Sequence, residues 1–260
     1  MTENKSLKID LTVVIAIIVV STFIILKFEV KPLISGIFYF LIPSIYLLLR
    51  KTKDIKNIFI GSLVFGLWFG FLFDFFVTFN KGWFVPQNQL IFPYRIFGVL
   101  PIDDVIWWFL LVLIMTIFYE HFIEKRKAGK LSKNLKYALL PSILIAPIIF
   151  ILFFVSPNLL EIRYVYLVLG LIAIIPFIYL IIKKPFFISK FIKISIFFFF
   201  LFLIYELTAL KLGQWVFPGE YIGVVEIFNL QFSFEEFFFW IMISSAACLS
   251  HYEIFVDDER

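Results

Sequence analysis

Six carboxyl side chains occur within or beside apolar runs, at positions that repeat along the chain. A shift of 132 residues relates the two sets, which are Asp74, Asp103 and Asp104 in the first half and Glu206, Glu235 and Glu236 in the second. Acids in apolar segments are rare and costly, so their alignment favours a genuine internal repeat with a function. Two neighbouring carboxyl groups away from water can divide into a proton donor and a proton acceptor. The pattern therefore predicts acid–base chemistry.

The repeat extends to aromatic residues around the acids. The aligned pairs are Trp83 with Trp215, Trp108 with Trp240 and, with a shift of 133, Tyr119-Glu120 with Tyr252-Glu253. Trp107, Trp108 and Trp240 follow the paired acids at a spacing of three to five residues, which allows some of them to face the same pocket.

The composition is typical of an integral membrane protein. It is 62% hydrophobic, 38 of its 260 residues are Phe, and the mean hydropathy is +1.02. A helix needs about 20 apolar residues to cross a hydrocarbon core of about 30 Å. Such stretches occur near 9–26, 33–50, 58–79, 104–123, 137–155, 163–182, 190–210 and 236–255. We predict an all-α membrane protein with about eight transmembrane helices as two parallel four-helix repeats, 1–127 and 128–260.

The basic residues predict the orientation of these helices. Six of the 23 Lys and Arg residues fall on one side, namely Lys27, Lys31, Lys81, Arg95, Arg163 and Lys211. The other 17 fall in the termini and in loops 50–57, 124–136 and 183–193, so the positive-inside rule places both termini of a multi-pass cell-membrane protein in the cytoplasm. The basic segment 124–130 then forms the linker between repeats. This topology also explains the net charge of +4 without a nucleic-acid partner.

The sequence argues against several kinds of bound group. Cys248 is the only cysteine, which excludes an internal disulfide and a cysteine-based metal site. Glycine-rich phosphate-binding motifs are absent, so nothing in the sequence calls for a nucleotide or a tightly bound flavin. We expect no required cofactor and no metal, while a loosely bound reductant stays open.

The predicted helices bring the six acids to one membrane face. Asp74 is near the end of the third helix and Asp103-Asp104 begin the fourth, and the second repeat has the same order. Acids in a first helical turn can simply stabilise the helix start. The duplication, and the third acid that each repeat adds, favour a functional site. Glu120, His121, His251 and Glu253 belong to the opposite face, where we interpret them as anchors of helix ends.

The motifs around these acids resemble those of the integral membrane lycopene cyclases. Residues 100–108, Leu-Pro-Ile-Asp-Asp-Val-Ile-Trp-Trp, resemble that family's Leu-Pro-x-Glu-Glu-x-x-Phe-Phe signature, and residues 234–240 keep its Glu-Glu pair with Ser233 in place of the proline. Phe73-Asp74 with Trp83, and Tyr205-Glu206 with Trp215, resemble its Trp-Asp and Gly-x-Trp-x-Phe elements. The resemblance covers most of both repeats and suggests the fused form of the family.

The resemblance implies a lycopene β-cyclase that closes the ends of lycopene without redox chemistry, giving γ-carotene and then β-carotene. Its substrate would be lycopene or a similar polyene dissolved in the lipid bilayer. The six acids would be catalytic, with Glu235 and Glu236 more important than Asp103 and Asp104. We expect substrate binding by aromatic side chains, namely Trp83, Trp107, Trp108, Trp215, Phe239 and Trp240.

Two other readings stay open. One is a membrane terpenoid cyclase acting on another prenyl chain, which would use similar acids. The other is a proton-coupled or lipid transporter, although transporters usually have interrupted helices at the membrane midplane. The ring type, the number of ends closed, the active repeat and the oligomeric state are also open.

Overall fold

Eight long helices dominate the computed structural model, which describes residues 3–50, 54–124 and 130–257. The helices long and apolar enough to span a membrane are α1 (Lys5–Phe28), α2 (Pro32–Leu49), α3 (Ile55–Phe79), α4 (Ile102–Phe122), α5 (Leu135–Val155), α6 (Val165–Lys183), α7 (Phe187–Lys211) and α8 (Glu236–Phe255). Within the described ranges, the prediction of eight helices in a multi-pass membrane protein is confirmed. The boundary at residues 127 and 128, and most of the predicted linker, lie outside the described residues.

The core of the bundle is built around α4 and α8, which are the most buried helices, whereas α5 is the most exposed. On α4, residues 110–120 are buried on every side of the helix. A helix that is apolar all round fits such a central position. On α5, large apolar side chains such as Leu144, Phe154 and Val155 are exposed, as expected for a helix that faces lipid.

Among the described residues, three helices contain wide, π-helical turns. These segments are Ile37–Leu41 in α2, Ser62–Phe69 in α3 and Glu236–Ile243 at the start of α8. Such turns are rare and are frequent at functional sites. The third one carries Glu236 and Trp240, two of the predicted site residues.

Two short β-hairpins lie in the loops that join α3 to α4 and α7 to α8. The first pairs β1 (Arg95–Ile96) with β2 (Leu100–Pro101), and the second pairs β3 (Val224–Ile227) with β4 (Leu230–Ser233). The second has a two-residue turn, Phe228-Asn229, in which both residues have positive φ, as a twisted tight hairpin requires. The sequence did not predict these hairpins, which add a small β component to the all-α fold.

The two loops pair with each other at equivalent positions. Phe84 and Val216, which are 132 residues apart, form an antiparallel bridge with two N–H···O bonds of 2.9 Å. The Tyr221 hydroxyl also donates to the Gly82 carbonyl oxygen. Burial raises the pKa of Tyr221 to about 12, so the phenol stays a neutral donor.

At the other end of the bundle, α4 and α8 exchange a reciprocal pair of hydrogen bonds. Tyr119 donates to Glu253, and Tyr252 donates to Glu120 over 3.0 Å. These are again equivalent positions, and both carboxyl groups are buried. The exchange resembles a contact across a twofold axis, while the arrangement as two parallel repeats stays a prediction. The glutamates therefore act inside the bundle rather than as anchors at its surface.

Candidate functional site

A cavity of about 80 Å³ lies where α3 and α7 end and α4 and α8 begin. We call it the acid cavity. Acidic and tryptophan side chains from both halves of the chain line it, namely Asp74, Asp103, Asp104, Glu236, Trp83, Trp107, Trp108, Trp215 and Trp240. The cavity thus combines the three aspartates of the first half with Glu236 of the second half, whereas Glu206 and Glu235 are not among its lining residues.

Asp74 is held by two donors and keeps one free oxygen. Its Oδ1 accepts hydrogen bonds from Trp83 Nε1 at 2.7 Å and from Thr78 Oγ1 at 3.0 Å. No described residue bonds to Oδ2, although this oxygen is buried. A buried oxygen without a hydrogen-bond partner is energetically costly. Because Asp74 lies in the cavity wall, a ligand or a water molecule could bond to this oxygen.

Asp103 and Asp104 are neighbours with different surroundings. Both oxygens of Asp103 accept backbone hydrogen bonds, from Ile91 N at 2.7 Å and Phe92 N at 2.9 Å. Asp103 therefore fixes the loop before α4. Within the described part of the chain, no side chain or backbone group donates a hydrogen bond to Asp104, which lines the cavity and is half-buried.

Arg95 is a cation close enough to influence these aspartates. Its Nη2 donates to the Val85 carbonyl oxygen at 2.6 Å, and its Nη1 donates to that of Val99 at 3.1 Å. Burial lowers the pKa of the Arg95 guanidinium, while Asp104 and Asp74 favour its charged form. A positive charge therefore lies close enough to Asp104 and Asp74 to interact with them electrostatically.

Glu206 matches Asp74 in its setting. Its Oε1 accepts from Trp215 Nε1 at 3.0 Å, at positions 132 residues after the Trp83–Asp74 contact. Its other oxygen, Oε2, is buried without a donor among the described residues. Glu206 also lies close enough to Glu236 for their two carboxyl groups to interact electrostatically.

Glu236 and Glu235 also differ in their surroundings, although Glu235 keeps one buried oxygen, Oε2, without a donor among the described residues. Glu236 lines the cavity and accepts a hydrogen bond of 2.5 Å from the Tyr166 hydroxyl. Glu235 is fully buried and accepts from Ile222 N at 2.8 Å, in the loop before α8. It is not part of the cavity lining. In each pair the first acid thus accepts hydrogen bonds from loop backbone and the second lines the cavity, which Asp103 also lines.

The tryptophans form a connected aromatic wall. Trp107 Nε1 donates to the Tyr205 hydroxyl at 2.6 Å. The Trp107 ring lies 5.5 Å from that of Trp108 and 5.2 Å from that of Trp240, and Trp240 stacks on Phe202 at 4.2 Å. All five predicted tryptophans line the acid cavity. Phe239 instead lines a larger neighbouring cavity.

Two site residues were not predicted from the sequence. Tyr166 bonds to Glu236, and Arg95 lies near the aspartates. Tyr166 lies in an apolar helix with no repeated acid beside it, so nothing in the sequence marked it. From the sequence, Arg95 was used only as a basic loop residue in predicting the orientation. Its place in the sequence between Asp74 and Asp103 could have suggested a contact with these acids.

The arrangement can move protons in a site lined mainly by aromatic and acidic side chains. A carboxyl pair can hold one proton, a second set of carboxylates can accept one, and indole faces can stabilise a cation between them. The described residues contain no group of three or more His, Cys, Asp or Glu side chains placed to hold a metal ion. Comparisons with protein families, curated proteins and solved structures found no match.

Proposed function

We propose that this protein is a carotenoid cyclase that closes the ends of lycopene to β-rings by acid catalysis. The observation that supports this most directly is the acid cavity, where Asp104 and Glu236 meet five tryptophans. The resemblance of the motifs to those of lycopene cyclases suggests a polyene substrate. Such an apolar substrate would be dissolved in the membrane. The products would be γ-carotene and then β-carotene.

In the proposed reaction, Glu236 transfers a proton to the terminal double bond of the polyene. A tertiary cation results, and a nearby double bond of the same chain attacks it to form the ring. Loss of a ring proton to a carboxylate then restores a double bond. One proton is taken up and one is released, and no electrons are exchanged with a cofactor.

The surroundings of Glu236 suit a proton donor. The neighbouring Glu206 carboxyl disfavours a negative charge on both groups at once, and the Tyr166 hydroxyl fixes the orientation of Glu236 Oε2. Asp104 and Asp74 line the same cavity and serve as the proton acceptors. Trp107 and the other indoles offer π faces to the cationic intermediate, which they stabilise without reacting.

The geometry changes the expected ranking of the acids. From the motif, Glu235 and Glu236 together were expected to dominate. With Glu235 and Asp103 bonded to loop backbone, we propose that Glu236 and Asp104 act on the substrate and that the other two position the loops.

The test is pigment analysis in cells that accumulate lycopene and express the protein. We expect β-carotene from the wild type, and a loss of at least about 100-fold in ring formation for Glu236→Gln, as for removal of a general acid. Asp104→Asn should also lower ring formation strongly. The matched control is Glu226→Gln, an exposed acid on β3, which should keep full activity at equal protein level.

Three outcomes separate the possibilities. Unchanged lycopene in cells that contain folded wild-type protein would refute a lycopene cyclase. Rings formed on a different prenyl chain would support the terpenoid cyclase alternative. Full activity in Glu236→Gln would place the proton donor elsewhere.

A further inference from the structure

A second cavity, of about 400 Å³, adjoins the acid cavity. We call it the tail cavity. It lies among α3, α4, α6 and α8, and its wall includes Phe65, Met115, Leu169, Ala173 and Ala247. Its volume is within the range of small-molecule sites, roughly 300–1,000 Å³. The acid cavity alone is too small for more than a short piece of a long chain.

The two cavities are neighbours across a shared aromatic neck. Trp108, Tyr166 and Trp240 line both of them. Trp108 is placed by close packing, because a Cβ atom at Gly70 would lie only 2.8 Å from its side chain. A chain whose end reaches Glu236 would therefore pass these rings and continue into the tail cavity.

The tail cavity suits an apolar chain. Most of its lining is aliphatic or aromatic, and two of its polar side chains, Ser244 and His251, bond within their own helix. Ser244 Oγ donates to the Trp240 carbonyl oxygen at 2.5 Å, and His251 Nδ1 lies 2.8 Å from the carbonyl oxygen of Ala247. The cavity therefore offers few free donors or acceptors to a polar ligand.

The tail cavity runs along the bundle. It extends from Phe65 to Phe76 on α3, eleven residues or about 16 Å at 1.5 Å per residue. This is about half of a hydrocarbon core of roughly 30 Å. A long chain in this cavity would lie along the helices, with one end at the acids and the other beyond their reach.

We propose that the tail cavity binds the linear part of the polyene while one end reacts in the acid cavity. This inference rests on the proposed function and deepens it. Only one end of the substrate can then be closed in each binding event. A substrate that is closed at both ends must leave the tail cavity and re-enter in the opposite direction.

The test adds bulk to the tail cavity without touching the acids. Ala173→Phe and Leu169→Phe each place extra volume in its wall. The control is Val168→Phe on the same helix, whose side chain is exposed and does not line the cavity. Each purified variant in lipid vesicles is given a long acyclic polyene and a short one with the same end group.

We expect the two cavity variants to lose conversion of the long polyene relative to the short one by about tenfold or more, since a single excluded methylene already changes discrimination by roughly 10–200-fold. Val168→Phe should keep the wild-type ratio. The proposal of a tail site would be overturned if both cavity variants fold as well as the control and keep the wild-type ratio of long to short polyene conversion.

Binding separates this inference from the proposed reaction. The linear polyene should quench tryptophan fluorescence in the wild type, since Trp108 and Trp240 form the neck, and Ala173→Phe should weaken that quenching. Binding without ring closure would refute the cyclase but retain the tail site. A phospholipid that copurifies in the cavity and is not displaced by the polyene would refute the tail site.

Discussion

Replacing Asp103 by Asn should separate a loop-holding acid from a chemical one. The Asp103 carboxylate accepts two backbone hydrogen bonds, from Ile91 and Phe92. An Asn side chain has one oxygen, so one bond is lost and an N–H group then faces the amide NH2. Losing a charge-assisted hydrogen bond costs about 1.5–3 kcal/mol.

Hydrogen exchange in lipid nanodiscs measures this effect directly. A loss of about 2 kcal/mol in local stability should speed exchange of the Ile91 and Phe92 amides about 30-fold. The control is Asp104→Asn, one residue later, which removes no described hydrogen bond and should leave both amides protected. Equal protection in the two variants would refute the assignment of Asp103 to the loop. Fast exchange in both would show that the loop depends on the whole pair.

Two further predictions follow from other contacts. Tyr166→Phe should lower ring formation by about 10–100-fold, because a hydrogen bond to a charged or partly charged group contributes about 1.5–3 kcal/mol. The control Tyr46→Phe loses a similar hydrogen bond to Asp10 at the far end of the bundle and should keep wild-type ring formation. Equal losses in the two variants would show that the effect is on protein stability alone. In a chain with Cys248 replaced by Ser, cysteines placed at positions 88 and 130 should be labelled from opposite sides of the membrane, and labelling from one side would contradict the eight-helix topology.

The sequence predicted the helices well because membrane spans carry a strong signal. About 20 apolar residues in a row cannot remain in water, and no other local structure satisfies their backbone in lipid. The start of α4 was also predictable, since Pro101 and two acids mark a first helical turn. The structure begins that helix at Ile102, within two residues of the expected start.

The division of labour within each acid pair could not be predicted from the sequence. Asp103 and Asp104 are chemically identical, and only the path of the preceding loop decides which one meets backbone N–H groups. That path depends on long-range pairing between loops, such as the bridge of Phe84 with Val216. Residue periodicity gives no information about such contacts. Tyr166 was missed for the same reason, because its partner Glu236 is 70 residues away.

The shared cavity also changes what the predicted internal repeat implies for function. Duplicated acids first suggest two equivalent sites, each complete in its own half. Here Asp104 comes from one half and Glu236 from the other, and both line the same cavity. The aspartate side adds the Arg95 cation, while the glutamate side adds Tyr166 and a carboxyl neighbour. Because their surroundings differ, one of two equivalent acids can donate a proton while the other accepts one. A single acid–base reaction needs both of these roles, and two identical sites would not supply them.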